Sequence, residues 1–279
     1  MGGYLELTEE MINTYASDIQ ATLPEIAWDQ AKIDGKIYML PANYVEVTPD
    51  VVAVRGDLMK KYGYEDIASF DELMAFYKDC AADGVYGNSV GASSLYWLWF
   101  QQEGYTGVYG MPGGGELIFY NVMDPKDTSV NYLLDWDAYI EYCHTVKELA
   151  DLGCWPSDVL SNGGERQDGL MSGRGATMVW NPASCQMYAN QANLEHPDWD
   201  INIYNVNQNI KYSSTRYTNG GISINATSEN PERAMMVANL LATDSRIHEL
   251  TQLGIEGVNW EAVGDDEYKP LVAYTSSNF

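Results

Sequence analysis

Apolar residues along the chain fall into short runs and one-sided stripes. Residues 4–31 carry Leu5, Met11, Ile12 and Ile19 at spacings that predict helix. Gly35-Lys36-Ile37-Tyr38-Met39-Leu40-Pro41 reads as a turn feeding a short strand that proline ends. Val51-Val52-Ala53-Val54 has the composition of a buried strand. Asp57 is placed to cap a brief helix, Leu58 to Tyr62, that Gly63 stops. Ser69-Phe70-Asp71-Glu72 is a capping box, predicting a helix that runs to Ala82 and closes at Gly84.

A second long helix is predicted from Trp136 to Leu152, with Tyr139, Tyr142, Cys143, Val146, Leu149 and Ala150 on one face and Gly153 as its stop. Residues 104–115, rich in glycine, read as a loop. Thr177–Trp180, Ile201–Tyr204 and Gly221–Ile224 read as strands. Asn230-Pro231 starts a helix, with Asn at the cap and Pro at the first helical position, and another helix spans Ser245 to Leu253. Short strands alternating with helices give an α/β class.

Composition narrows the partners. Forty acids against 15 bases leave a net charge of −25 over 279 residues. Such a field repels phosphate and sets nucleic acid and anionic membrane surfaces aside. Aromatic usage is skewed to 21 Tyr and 8 Trp against 5 Phe. Tyr and Trp join an apolar face to a hydrogen-bonding edge, which suits partly polar ligands such as sugars. The four cysteines show no paired or zinc spacing and read as free, mostly buried thiols. Met1-Gly2-Gly3-Tyr4 has neither a basic nor an apolar region of the kind a signal peptide needs.

Catalytic chemistry finds little support. Gly87-Asn88-Ser89-Val90-Gly91 matches G-x-S-x-G, so a serine hydrolase using Ser89 is the enzymatic alternative. Only Val85-Tyr86 precedes it as strand, and His144, His196 and His248 lie in no recognisable triad context. No metal spacing, phosphate loop or dinucleotide fingerprint occurs, so neither metal nor cofactor is expected. Paired carboxylates of the glycosidase kind meet only in space and cannot be picked from forty acids.

From Asp34 to Pro41, "DGKIYMLP", the chain resembles the family 1 extracellular solute-binding proteins, the maltose-binding-like group that serves sugar ABC importers. Arg55-Gly56-Asp57-Leu58-Met59-Lys60-Lys61-Tyr62-Gly63 and Ser69-Phe70-Asp71-Glu72-Leu73 are similar to two further family elements. So are Leu170 to Met178, Asn230-Pro231-Glu232-Arg233-Ala234, and Gly254-Ile255-Glu256-Gly257 of a surface-lipoprotein subgroup. Their shared order carries the resemblance.

The resemblance implies a type II periplasmic-binding-protein-like fold, with two α/β lobes joined by crossing hinge strands and closing on a sugar. It implies residues 1–51 as part of an amino-terminal lobe, 52–217 as the carboxy-terminal lobe and 218–279 as the return, the amino-terminal lobe being incomplete. It implies a monomer on the extracellular face or in the periplasm, partnered by membrane permease subunits and a carbohydrate. A sensory or adhesive sugar-binding module is the non-transport alternative. The matching positions give Tyr44, Glu46, Tyr96, Trp97, Trp180, Asn181, Tyr217 and Asn219 as ligand-binding residues. Trp97 and Trp180 would stack on pyranose faces, while Glu46, Asn181 and Asn219 would bond hydroxyls. Trp97 and Trp99 alternate with leucines, so core packing is expected for at least one of them.

Overall fold

The computed structural model describes residues 2–45, 47, 49–108, 117–124, 126–159, 165–208, 211–212, 214–264 and 267–271. The chain divides into two compact units, Met1–Glu46 with Thr215–Phe279 and Val47–Ser214. It opens with helices α1 (Glu9–Tyr15), α2 (Ser17–Thr22) and α3 (Glu25–Ala31) and short strands β1 (Lys32–Ile33), β2 (Lys36–Ile37) and β3 (Leu40–Pro41). Unit 2 begins with β4 (Val51–Val54), α4 (Gly56–Tyr62), α5 (Phe70–Ala82) and α6 (Tyr96–Gln102). Strands β5 (Tyr105–Gly107), β6 (Ile118–Asn121) and β7 (Asn131–Tyr132) precede α7 (Asp137–Asp151) and α8 (Arg166–Met171). Then come β8 (Thr177–Trp180), α9 (Pro182–Glu195) and β9 (Asn202–Tyr204). Unit 1 resumes with β10 (Gly221–Ile222), α10 (Pro231–Thr243), α11 (Ser245–Gln252), β11 (Trp260–Val263) and β12 (Glu267–Pro270).

Unit 2 is built around β4, which pairs antiparallel with β8 on one side and β9 on the other. All four β4 residues are buried. Alternation sends Val52 and Val54 into a cluster with Phe70, Leu73, Phe76 and Tyr77 of α5. Val51 and Ala53 face the opposite layer, with Cys185, Ala189 and Ala192 of α9. A strand covered by helices on both faces must be apolar at every position, which is why this run carries no polar residue. The α5 cap forms as the sequence predicts: Ser69 Oγ accepts from Glu72 N at 3.2 Å, and Glu72 Oε2 accepts from Ala68 N at 2.8 Å.

In unit 1 the strands described pair two by two, β1 with β2, β3 with β10 and β11 with β12. Leu7, Ile12, Ile19, Leu40, Met235 and Ala238 join in one core cluster. Helix α2 borrows its N-terminal cap from across the chain. Asn239 Oδ1 of α10 accepts from Asp18 N and Ile19 N at 3.2 and 3.0 Å, and its Nδ2 donates to Asp18 Oδ2 at 2.7 Å. Two of the donors that a helix start leaves unpaired are thereby satisfied by a buried side chain.

Several sequence expectations need correcting. Residues 4–31 form three helices, interrupted at Ala16 (φ −138°) and at Leu23-Pro24, where proline forces the residue before it out of helical geometry. Tyr4 instead bridges to Asn225. Within the expected 104–115 loop, Tyr105–Gly107 form β5, because they pair antiparallel with Phe119–Asn121 of β6, a pairing the Tyr105 ring supports by packing on Trp136 with centroids 4.6 Å apart. The rest of that loop from residue 109 lies outside the described residues. Asp57 does not cap α4 but grips Arg55 through Nε at 3.0 Å and Nη2 at 2.5 Å. Asn230 makes no side-chain cap. Cys143 is exposed while Cys80, Cys154 and Cys185 are buried, since the inward stripe of α7 centres on Tyr142 and Leu149.

Candidate functional site

At one end of the unit 2 sheet, β8 finishes where β4 begins, so Trp180 lies opposite Val51. The next residue outward on β4 is Asp50. Its backbone N donates to Gln101 Oε1 at 3.3 Å, and Gln101 Nε2 donates back to Asp50 Oδ2 at 3.4 Å. Gln101 comes from the last turn of α6. Helix α8 delivers Arg166, whose guanidinium carbon stands 4.6 Å above the Trp180 ring while Nη1 donates to Val179 O at 3.2 Å. A cation held over an aromatic face fixes the ring, and the half-buried Trp180 also packs against the cluster of Leu170, Met178 and Cys185. On the β9 side, the Tyr212 hydroxyl donates to Asn207 O at 2.7 Å and lies 3.3 Å from Asn205 Oδ1.

Burial pushes the Asp50 carboxyl above the ordinary carboxylate range, and Arg166 opposes that effect. Burial also raises the Tyr212 phenol. The sheet end thus gathers a half-buried acid, an arginine, an amide, a phenol and an indole. These supply acceptors, donors and an apolar plate, as a polyhydroxylated ligand requires.

The sequence-derived residues fall in distinct places. Trp180 and Asn181 belong to this sheet end, but Asn181 Oδ1 is committed to capping α9, accepting from Ser184 N at 2.9 Å. Tyr96 and Trp97 lie on α6 in an aromatic cluster. Tyr96 meets Phe100 at 4.8 Å, Trp97 at 5.4 Å and Tyr142 at 6.0 Å, and Trp97 meets Phe119 at 6.2 Å. Both are half-buried. Trp99 packs against Phe70 at 5.3 Å, as the leucine alternation led one to expect.

In unit 1, Ala42 N donates to Tyr217 O and Gly220 O at 3.2 and 3.1 Å, which lays the Tyr44 segment beside the Tyr217–Asn219 turn. Tyr44 is exposed, and Tyr217 is anchored by its backbone N to Gln30 Oε1 at 2.9 Å. Glu46 lies outside the described residues.

Asp50, Gln101, Arg166, Asn205 and Tyr212 were not singled out by sequence. The available signal was an acid directly preceding an all-apolar strand, a position where a charge ends up at the mouth of the core.

The hydrolase alternative fails on geometry. Ser89 is 5% exposed, and its Oγ is buried with no hydrogen-bond partner among the described residues. It is wedged against Gly169 of α8, where no substrate carbonyl can approach. The buried thiols offer no substitute nucleophile: burial pushes Cys80 up to about 12 and Cys154 and Cys185 up to about 11, so all stay protonated near neutrality. Among the described residues no group of three or more ligating side chains could hold a metal, and no helix is long and apolar enough to cross a membrane.

No known family profile matches the chain. A carbohydrate ABC transporter substrate-binding protein of Streptococcus pneumoniae serotype 4 is 25% identical over 277 residues, covering 97% of this chain and 53% of the relative. The crystal structure of the N-glycan transport solute-binding protein NgtS from Streptococcus pneumoniae superposes with a TM-score of 0.70 at 21% identity, over 97% of this chain and 58% of that one. Its complex with Man1GlcNAc gives 0.67 at 20% identity, with the same coverage. The alginate-binding protein AlgQ2 gives 0.66 at 16% identity, over 94% of this chain and 55% of that one. The chain therefore has a type II periplasmic-binding-protein-like fold, and its sequence is similar to a carbohydrate ABC transporter substrate-binding protein of which it spans about half the length.

Proposed function

We propose that this protein captures a sugar or oligosaccharide for a bacterial ABC importer, with the unit 2 sheet end as a binding surface and Trp180 as its stacking plate. The observation that carries the reading is the Trp180 ring clamped by Arg166 at the sheet end where Asp50 and Tyr212 also lie. Asn181 contributes its amide N–H groups, since its oxygen caps α9. Trp97 and Tyr96 extend the unit 2 surface; within unit 1, Tyr44, Glu46, Tyr217 and Asn219 are the residues assigned to ligand contact. The protein works as a monomer at the extracellular face or in the periplasm and delivers its ligand to permease subunits. It binds and does not transform.

Thermal unfolding with a panel of manno-, gluco-, galacto-, xylo- and alginate oligosaccharides, Man1GlcNAc included, tests the reading. A ligand at about 100 times its Kd stabilises the native state by about 2.7 kcal/mol. A panel without any shift would count against capture. Trp180→Ala is expected to weaken the best ligand by about 2 kcal/mol, roughly thirty-fold, measured by titration below the variant's own melting temperature. Unchanged affinity would remove Trp180 from the surface.

A further inference from the structure

Asp50 runs against the other perturbed acids of the chain. Asp83 and Asp200 are held below their ordinary value by Lys61 and Lys60, and Asp127 by Ser129. Asp50 is pushed up by burial, and among the described residues it joins no ion pair. Gln101 engages Oδ2, and no described donor reaches Oδ1. Arg166, the nearby cation, is spent on Val179 O and the Trp180 ring. The fold thus holds a partly desolvated carboxylate at a strand mouth, offset at a distance by Arg166 but in no close ion pair among the described residues. A half-buried acid at the mouth of a sheet costs stability, and binding is what that cost can serve.

We propose that Asp50 is the hydroxyl-accepting anchor of the sheet-end site and that through it ligand capture is coupled to pH. The inference rests on the carbohydrate reading. An ionised carboxylate accepts shorter and stronger hydrogen bonds from hydroxyls than a carboxylic acid does. Capture therefore strengthens as Asp50 ionises and weakens as it takes up a proton. The groups that face it are Arg166 from α8, Tyr212 from the segment after β9 and Cys185 from α9. Arginine keeps its charge, and the phenol and thiol are both raised, so across the acid-to-neutral range Asp50 is the member that titrates.

The sign for stability is opposite to that for binding. A carboxyl raised in the folded state favours folding when protonated, and that advantage is lost as pH rises through the folded value.

The experiment is isothermal titration of the 279-residue protein and its Asp50→Asn variant with the tightest ligand of the panel, Man1GlcNAc first, from about pH 4 to about pH 8. Thermal unfolding runs in parallel. The expected wild-type affinity rises about tenfold across the range. Asp50→Asn binds about tenfold more weakly at neutral pH, with a flatter profile than wild type, and melts higher than wild type there; the melting difference closes toward low pH. A variant that binds as wild type does, with the same pH profile, overturns the anchor and leaves the carbohydrate reading standing. A wild type that binds no panel member overturns both, whatever the melting curves show.

Discussion

Gly169→Ala is expected to cost about 3 kcal/mol of stability, a large share of what a domain of this size holds in reserve. A methyl group at this position of α8 would overlap both Oγ and Cβ of Ser89. Neither side can yield easily. Gly169 and Ser89 are both buried, and the serine loop is pinned by its neighbours. Asn88 Oδ1 accepts from Val90 N and Gly91 N at 2.9 and 2.6 Å, and Gly87 sits against the face of the buried Tyr77 ring. The remedy follows from the same geometry. With Ser89 also changed to glycine, the nearest atom of residue 89 is its Cα at 3.6 Å, ordinary van der Waals contact. Gly169→Ala/Ser89→Gly should recover most of the loss, which a double-mutant cycle by urea unfolding measures. Additive losses in that cycle would show that the two residues do not share one packed space.

Phe100→Ala is expected to cost about 4 kcal/mol, at the upper part of the range for deleting a buried ring. Phe100 is fully buried, stacked on Trp136 at 5.0 Å and 22°, with Phe119 at 4.5 Å and Tyr96 at 4.8 Å. It holds together three elements, α6, the β5–β6–β7 sheet and the start of α7. Its loss leaves a cavity lined by rings too rigid to collapse into it. Ligand affinity should fall as well, because Gln101, which positions Asp50, is the adjacent residue on α6. Chemical denaturation and titration of Phe100→Ala beside Phe100→Leu separate the effects, since leucine restores much of the volume. A Phe100→Ala protein as stable as wild type would mean that the cluster is held from elsewhere.

The elements legible in the sequence are those with strong local signals. The box at Ser69–Glu72, the run Val51–Val54 and the stop at Gly63 each specify their structure through neighbours in the chain. Failures came where distant residues decide. Tyr105 enters a strand because β6 pairs with it, and Ala16 can begin a helix because Asn239 caps it from another part of the chain.

The site divides the same way. Trp180 was visible as an aromatic at a strand end. Arg166, which clamps it, was not, because it precedes Trp180 by a helix and a turn, and neither were Gln101 and Tyr212, which reach the same sheet end from other segments. Asn181 looked like a ligand contact, and its oxygen instead serves the backbone of α9.

The cap that Asn239 places on α2 also sets an order of events during synthesis. Its partners Asp18 and Ile19 leave the ribosome 221 and 220 residues earlier, so the first helices wait, without that cap, for most of the chain to be made. Unit 2 is one uninterrupted stretch and can close its core in the meantime. The α1–α2 segment thus emerges before unit 2 and settles after it. In a cell it is this waiting segment, rather than the aromatic core, that chaperones and proteases have the longest opportunity to meet.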